Sequence, residues 1–359
     1  MRFHGDMLVR ACFLVGLALP LLTAGCGDDR RPAPVDSGVP PGTDGGPRPD
    51  GSPPDVDAWV EPSPWVDPAC IDGMYSETPP TPEVSIDDLI SGYAGDYQGF
   101  VAEALTRRYP LGGEVVRRGQ GFTMLGDCVE RFVGSPGSAE DVLRRIETIV
   151  HECGHFADLG TGGFSDAYYF INEDIEFTCT QGDTTSRGGR TFARSRINGD
   201  EYSAMRPPCG GPSSPGCDFY GDVYLDGDPD DGTFEGGDQG FNSVLEETTQ
   251  YVNSLATGYA FNDQIRGSIS NRDGILTFLW YVERYLRMAR TSYPDAYSTL
   301  SADPCWRRGI LTVWGRAFFY LALTEGMGQL GINDDVILGL VTDPTLLEEI
   351  QRLRDLEGC

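Results

Sequence analysis

The chain has 359 residues, with 27 Lys and Arg against 55 Asp and Glu, and its formal net charge is −28. A surface this acidic repels nucleic acid and anionic lipid headgroups, so neither is expected to bind the folded part of the protein directly. The charge favours solubility and does not identify a partner.

The first 25 residues have the pattern of an export signal. Two early arginines supply positive charge, and the apolar run at residues 11–22 is too short to remain as a transmembrane helix. Residues 22–26, Leu-Thr-Ala-Gly-Cys, resemble the lipobox of bacterial lipoproteins, although Thr23 stands where Leu is usual. The resemblance implies cleavage before Cys26 and a lipid on its thiol, so the membrane would be contacted only through that lipid. Secretion with an unlipidated Cys26 is the alternative.

Residues 26–69 are rich in Pro, Gly, Asp and Ser and almost lack aliphatic side chains. Because such a segment cannot bury enough apolar surface to fold, we expect a disordered tether. From residue 70 to residue 359 the composition is that of a globular protein, long enough for one large domain.

Cysteine usage indicates an oxidising compartment. With Cys12 in the signal and Cys26 assigned to the lipid, eight cysteines remain, which permits four disulfides. The sequence does not fix the pairing, although Cys209 and Cys217 bracket a short Pro/Gly/Ser loop that can close locally. No C-x-x-C spacing is present, which disfavours a thiolate metal cluster.

The next predicted element is a helix that carries a metal-binding motif. Ser138 has the pattern of an N-cap, and apolar residues at helical spacing predict a helix of about 20 residues that ends near Gly160. Late on this helix, residues 151–155 read H-E-C-G-H and contain both histidines that lie outside the signal. His151 and His155 share a helix face and can reach one ion, while Glu152 beside them can take a proton from bound water.

Beyond the motif, short strands are predicted at residues 168–171 and 175–178, followed by a polar insertion at about 182–240. Helical periodicity returns at residues 244–256, 275–289, 305–323 and 345–356, so we expect an α+β domain with a mainly helical C-terminal part. One apolar stripe is assigned to the core: Leu276, Leu279, Trp280, Val282 and Leu286.

Within the insertion, acidic residues alternate with glycine from Asp226 to Gly232, and oxygen ligands at this spacing suit Ca²⁺. The segment departs from the EF-hand pattern, because position six is Asp231 and position twelve is Gly237. A calcium site and a solvated acidic loop both stay open.

The third metal ligand must be a carboxylate, because no third histidine remains and a catalytic zinc usually takes three protein ligands. The helix at residues 244–256 carries Glu246 and Glu247 in an otherwise apolar segment. At 100° per residue, Glu247 lies closer to the border of the buried face and is the favoured ligand, with Glu246 as an alternative. Asp166, eleven residues after His155, is a second alternative, in a layout that resembles the aspzincins.

Residues 151–158, HECGHFAD, resemble the gluzincin metallopeptidases, with the closest motif resemblance to the anthrax lethal factor protease domain. That motif also reads H-E-x-G-H with an Asp three residues after the second His. The resemblance implies a zincin-like fold over residues 70–359, a glutamate ligand on a later helix, and Zn²⁺-dependent hydrolysis of peptide bonds. The chain departs from the pattern in spacing, because about 90 residues separate His155 from Glu247.

We therefore expect a zinc metalloendopeptidase of the bacterial cell envelope, acting on a protein or peptide substrate with Glu152 as general base. A catalytically inactive zincin-fold surface lipoprotein that acts as a binding or structural module is the alternative. Asp158 is expected to orient an imidazole, and Cys153 to form half of a disulfide. Tyr251 and Tyr259 are candidates for stabilising the oxyanion.

Overall fold

The computed structural model describes residues 63–163, 166–179, 190–205, 219–225, 239–265, 267 and 269–359. These residues are mostly helical, with one two-stranded antiparallel sheet. The elements in chain order are α1 (Asp87–Ser91), α2 (Tyr97–Arg108), α3 (Pro110–Gly121), α4 (Cys128–Val133), α5 (Ala139–Leu143), α6 (Ile146–Gly162), β1 (Ala167–Asn172), β2 (Ile175–Cys179), α7 (Phe219–Tyr224), α8 (Phe241–Ala260), α9 (Asn271–Ser292), α10 (Pro294–Ala302), α11 (Pro304–Leu323), α12 (Asp334–Val341) and α13 (Pro344–Glu357).

The helix predicted around the motif is divided into α5 and α6. The Ser138 side chain accepts the N–H of Asp141, which confirms the N-cap, but α5 ends at Leu143. The N–H of Arg145 then binds the carbonyl of Val142, three residues back, and this tight turn interrupts the helix. The prediction of one continuous helix was wrong because the apolar spacing continues across the turn.

Helix α6 ends at Gly162, close to the predicted end near Gly160. The next residue, Gly163, has φ of +64°, in the left-handed region that favours glycine. The motif therefore lies in the middle of α6, where all backbone groups can form helical hydrogen bonds.

Helix α6 packs against α3, α4, α8 and β1, and its buried face includes Ile149, Val150 and Phe156. Helix α3 approaches closely at Gly119, where a Cβ atom would lie 2.2 Å from the backbone oxygen of Cys153. On another side, the Cys128–Cys153 disulfide ties the start of α4 to α6. The motif is thus held from several directions by elements that precede and follow it.

The two predicted strands are present, each slightly longer than expected. They pair in antiparallel register, with Tyr168 opposite Thr178 and Phe170 opposite Glu176. The N–H of Phe170 donates to Oδ1 of Asp158 at 3.0 Å, so β1 is joined to the end of α6 by a buried side chain.

The four C-terminal helices predicted from periodicity correspond to α8, α9, α11 and α13. The apolar stripe on α9 is at most 2 % exposed, which confirms its place in the core: Leu276, Leu279, Trp280, Val282 and Leu286. Among the described residues, none of the helices is both long enough and apolar enough to cross a membrane.

Three disulfides are present in the described part of the chain: Cys70–Cys359, Cys128–Cys153 and Cys179–Cys305. They confirm the expectation of disulfide bonding and indicate an oxidising, extracytoplasmic environment. The local pair Cys209 and Cys217, the acidic stretch at residues 226–232, the export signal and the tether up to residue 62 lie outside the described residues.

The first described residues, 63–72, form a strap that contacts the C-terminal helices α11 and α13. The backbone oxygen of Trp65, near the end of the segment expected to be a tether, accepts hydrogen bonds from the side chains of Trp314 and Arg354. Arg354 also pairs with Asp72 at 2.7 Å. Together with the disulfide of Cys70, these contacts make the strap part of the folded domain.

Candidate metal centre

Helices α6 and α8 bring His151, His155 and Glu247 together. One potential ligand atom from each of the three residues lies within 4.8 Å of the others, so the group could hold a metal ion. The two imidazole Nε2 atoms are 3.0 Å apart, and Oε2 of Glu247 lies 3.6 Å from Nε2 of His151 and 3.7 Å from Nε2 of His155. Glu247, which the helix-face argument favoured as the third ligand, therefore faces both histidines.

These separations fit a small metal ion. Metal–ligand bonds of about 2.0–2.1 Å at the tetrahedral angle place ligand atoms about 3.3 Å apart. The three observed separations lie on either side of that value. In addition, Oε2 of Glu247 is buried and has no hydrogen-bond partner among the described residues. A buried carboxylate oxygen without a donor is costly, and a cation between the three residues would satisfy it.

The outer nitrogens of both imidazoles are bound by side chains of α8. Nδ1 of His155 lies 2.7 and 2.6 Å from the two carboxylate oxygens of Glu246, and Nδ1 of His151 lies 3.0 Å from Oγ of Ser254. A proton on each Nδ1 can donate to these acceptors, which leaves each Nε2 lone pair directed to the centre of the group. Both rings are therefore oriented as metal ligands require.

The charges around the centre have clear physical effects on its acids and bases. Burial alone would raise the pKa of Glu247, but the two imidazoles and Arg194 lower it below its ordinary value, so this carboxylate is ionised at neutral pH. Burial opposes a proton on His155, yet Glu246 and Glu247 raise the pKa of this imidazole well above its usual value. A metal ion that binds Nε2 of His155 must displace any proton on that nitrogen.

Glu152, the predicted general base, is partly buried and adjoins His151 in the chain. Burial raises the pKa of Glu152, while the two histidines lower it and Glu247 and Glu246 raise it further. The net increase brings this carboxylate closer to the range in which a base can both take up and return a proton near neutral pH.

Asp158 does not take the role predicted for it, because Glu246 occupies Nδ1 of His155. Instead, Oδ1 of Asp158 accepts the N–H of Phe170, and Oδ2 accepts a hydrogen bond from Nε2 of Gln250. Asp158 thus acts one step farther from the centre, through Gln250. Sequence spacing along α6 placed Asp158 near His155 but could not reveal a competing acid from another helix.

The remaining sequence candidates lie at different distances from the group. Asp166 is described and partly buried, but it does not belong to the metal-binding group. The Tyr251 ring packs edge-on against His151, with centroids 5.0 Å apart, and its hydroxyl lies 3.3 Å from that of Tyr224. Tyr259 lies two turns farther along α8, where Glu83 affects its pKa. Of the two tyrosines predicted to stabilise the oxyanion, Tyr251 is therefore the one that lies next to the metal-binding group. Cys153 is half of a disulfide, as predicted.

Sequence reasoning missed Ser254 and the part played by Gln250. A signal for both was present, because the buried face of α8 carries a run of polar side chains in an otherwise apolar helix: Thr248, Thr249, Gln250, Asn253, Ser254 and Thr257. Buried polar residues need hydrogen-bond partners, so such a run indicates a polar site facing the helix.

Comparison of the sequence with family models and with curated proteins, and of the structure with solved structures, finds no match. No known protein therefore supports the resemblance to the gluzincins, and what the structure adds to the sequence motif is a His-His-Glu group that could hold a metal ion.

Proposed function

We propose that this chain is an exported zinc-dependent peptidase, with His151, His155 and Glu247 as metal ligands and Glu152 as general base. The observation that carries the proposal is the position of Glu152. It is a partly buried carboxylate of raised pKa beside a His-His-Glu group whose ligand atoms lie within 4.8 Å of one another. A purely structural metal site has no need of a base at this position.

A bound Zn²⁺ would supply Lewis acidity, which lowers the pKa of water and polarises a peptide carbonyl. The protein contributes neutral imidazoles, kept in the required orientation by Glu246 and Ser254, and one negative charge from Glu247. Glu152 accepts a proton from the attacking water and returns it to the leaving amine. Tyr251, which packs against His151, is the candidate for contacting the oxyanion of the substrate.

Two further features support a site of action outside the cytoplasm. The disulfides fit an exported protein, and the sequence at residues 22–26 fits lipid attachment at Cys26. We propose that the part of the tether that precedes residue 63 connects this anchor to the folded domain at the cell envelope. The substrate is then a protein or peptide outside the cytoplasm.

The proposal is tested by metal analysis and by hydrolysis of a casein substrate with three forms of the purified exported protein. The wild type should carry about one zinc per chain and cleave casein. Glu152→Gln should keep the zinc and lose cleavage, because the amide cannot accept the proton of water. Glu130→Gln, which changes an exposed glutamate on α4, is the matched control and should behave as wild type.

The outcomes separate the possible functions. A wild type that binds no zinc contradicts the metal site, and a fully active Glu152→Gln variant removes Glu152 from the mechanism. A protein that binds zinc but cleaves nothing in either form supports the inactive binding module.

A further inference from the structure

We propose that Gln250 is a positioning residue of the metal centre. Its side-chain amide holds Glu246 against His155 and separates Glu246 from Asp158. The inference rests on the metal site proposed above. It assigns a role to a side chain that contacts no candidate ligand directly in the hydrogen bonds described.

Gln250 is 1 % exposed and uses both ends of its amide. Its Nε2 donates to Oδ2 of Asp158 at 3.0 Å and to Oε1 of Glu246 at 3.2 Å, while its Oε1 accepts from Nδ2 of Asn253 at 2.8 Å. The two N–H groups of one amide thus bridge two buried carboxyl groups, one from α6 and one from α8.

The orientation of this amide is fixed by an arginine at the other end of a hydrogen-bond chain. Nη1 of Arg316 lies 2.8 Å from Oδ1 of Asn253, and a guanidinium can only donate. The oxygen of Asn253 must therefore face Arg316, and its NH₂ group must face Oε1 of Gln250. It follows that the NH₂ group of Gln250 must face the two carboxyl groups.

Arg316 is itself held in place, because its Nε pairs with Glu77 at 3.0 Å and its Nη2 donates to Tyr109 at 3.0 Å. The chain of contacts therefore begins at Glu77 in the N-terminal part of the domain and ends at His155. From Arg316 through Asn253 and Gln250 to Glu246, each step has one allowed direction of donation, so Gln250 presents its NH₂ group to Glu246 in a single orientation.

The motif leaves space for this amide. A Cβ atom at Gly154 would lie 1.8 Å from Oε1 of Gln250, closer than any real contact. The glycine between Glu152 and His155 is thus required where α6 and α8 cross, because any side chain there would displace Gln250 from the two carboxyl groups.

Without Gln250, two buried acids would face each other with no donor between them. Two buried acids without a donor between them must either move apart or share a proton, and each of these changes weakens the contact of Glu246 with Nδ1 of His155. Acceptors that bind the outer nitrogen of a ligating histidine typically contribute 10-fold to 100-fold to metal affinity. We expect a loss of this size, about 10-fold or more, when Gln250 is replaced.

The test measures metal affinity by competition with a chelator and the absorption spectrum of the Co²⁺-loaded protein. Gln250→Leu removes both donors at similar volume and should weaken Zn²⁺ binding about 10-fold to 100-fold and shift the Co²⁺ spectrum. Thr257→Val is the matched control, because Thr257 is buried on the same helix and donates only to the backbone of Asn253. It should change affinity by less than about twofold and leave the spectrum unchanged.

A double-mutant cycle tests the link to Gly154. Gly154→Ala should weaken metal binding in the wild-type background but have much less effect in Gln250→Ala, where the added methyl group finds space. If Gln250→Leu does not fold, Gln250→Met provides the same comparison with a more flexible side chain.

The results distinguish this inference from the proposed function. If the wild type binds neither Zn²⁺ nor Co²⁺, the metal site itself is wrong. If the wild type binds both, and the folded Gln250 variants have unchanged affinity and spectrum, the positioning role is overturned while the metal site stands.

Discussion

Glu246 holds Nδ1 of His155 with both carboxylate oxygens, at 2.7 and 2.6 Å. The next residue, Glu247, faces Nε2 of the same ring at 3.7 Å. Consecutive residues on a helix point about 100° apart, so one turn of α8 can address both nitrogens of one imidazole. The acidic pair, considered above as alternative ligands, therefore has two different roles, one at each side of His155.

The unequal partners of the two histidines lead to a first prediction. Glu246→Gln should weaken Zn²⁺ affinity by about 10-fold to 100-fold, because a neutral amide is a poorer acceptor for Nδ1–H of His155. Ser254→Ala should have a smaller effect, since Ser254 offers only a neutral hydroxyl to His151. Chelator competition measures both affinities. Equal losses of Zn²⁺ affinity in the two variants would contradict the expectation that Glu246 contributes more to the site than Ser254 does.

A second prediction concerns the third ligand. Glu247→Gln should reduce zinc retained after dialysis far below one ion per chain, because the variant loses a charged ligand at the centre of the group. Asp166→Asn should retain zinc as the wild type does, since Asp166 lies outside the metal-binding group. Release of zinc by the Asp166 variant alone would favour the aspzincin layout.

Much of the metal centre could be predicted from sequence because its residues follow helical spacing. The H-E-x-x-H motif gives two candidate ligands and a candidate base on one helix, and the angle argument on α8 selects Glu247, which the structure places in one group with both histidines. Ser254 and Gln250 could not be assigned in this way, because their roles arise only where α8 crosses α6, about 90 residues away in the chain. Disulfide pairing had the same difficulty, since Cys70 and Cys359 are 289 residues apart.

Helix α3 shows a second reason why part of the fold could not be predicted from the sequence. It contains four glycines in 12 residues, a composition that disfavours a helix by intrinsic propensity. The close approach to α6 at Gly119 explains why one of these glycines is present, since a Cβ atom there would collide with Cys153. Packing between helices overrides propensity here, and single-sequence periodicity does not contain that information.

A third prediction uses Glu147, which lies one turn before His151. Burial raises the pKa of Glu147 to about 7 from 4.5, although a hydrogen bond from Asn271 opposes the shift. Between pH 4.5 and 7 the unfolded chain loses this proton while the folded protein keeps it, so the free energy of unfolding decreases as pH rises. The full effect is about 3 kcal/mol.

Glu147→Gln should remove this dependence. Urea unfolding at pH 5 and pH 8, with a chelator present to exclude metal linkage, should show a variant that is more stable than wild type at pH 8 by up to about 3 kcal/mol. At pH 5 the two proteins should differ much less. A constant difference between wild type and variant at both pH values would show that Glu147 does not titrate in this range.

The last prediction concerns Glu283, on the buried face of α9 and away from the residues of the metal centre. Its side chain is fully buried, and neither carboxyl oxygen has a hydrogen-bond partner among the described residues. Burial raises the pKa of Glu283 well above 4.5, and the nearby acids Asp343 and Glu349 raise it further, so this environment favours the neutral form of the carboxyl group. Because even a neutral carboxyl group loses its hydrogen bonds to water on burial, Glu283→Met should increase the free energy of unfolding by about 1–3 kcal/mol at pH 7. Glu325→Met, at an exposed position, is the control and should change the free energy of unfolding by less than about 0.5 kcal/mol. Thermal and urea unfolding measure both effects, and a Glu283→Met protein less stable than the control would show that this carboxyl group has a stabilising partner.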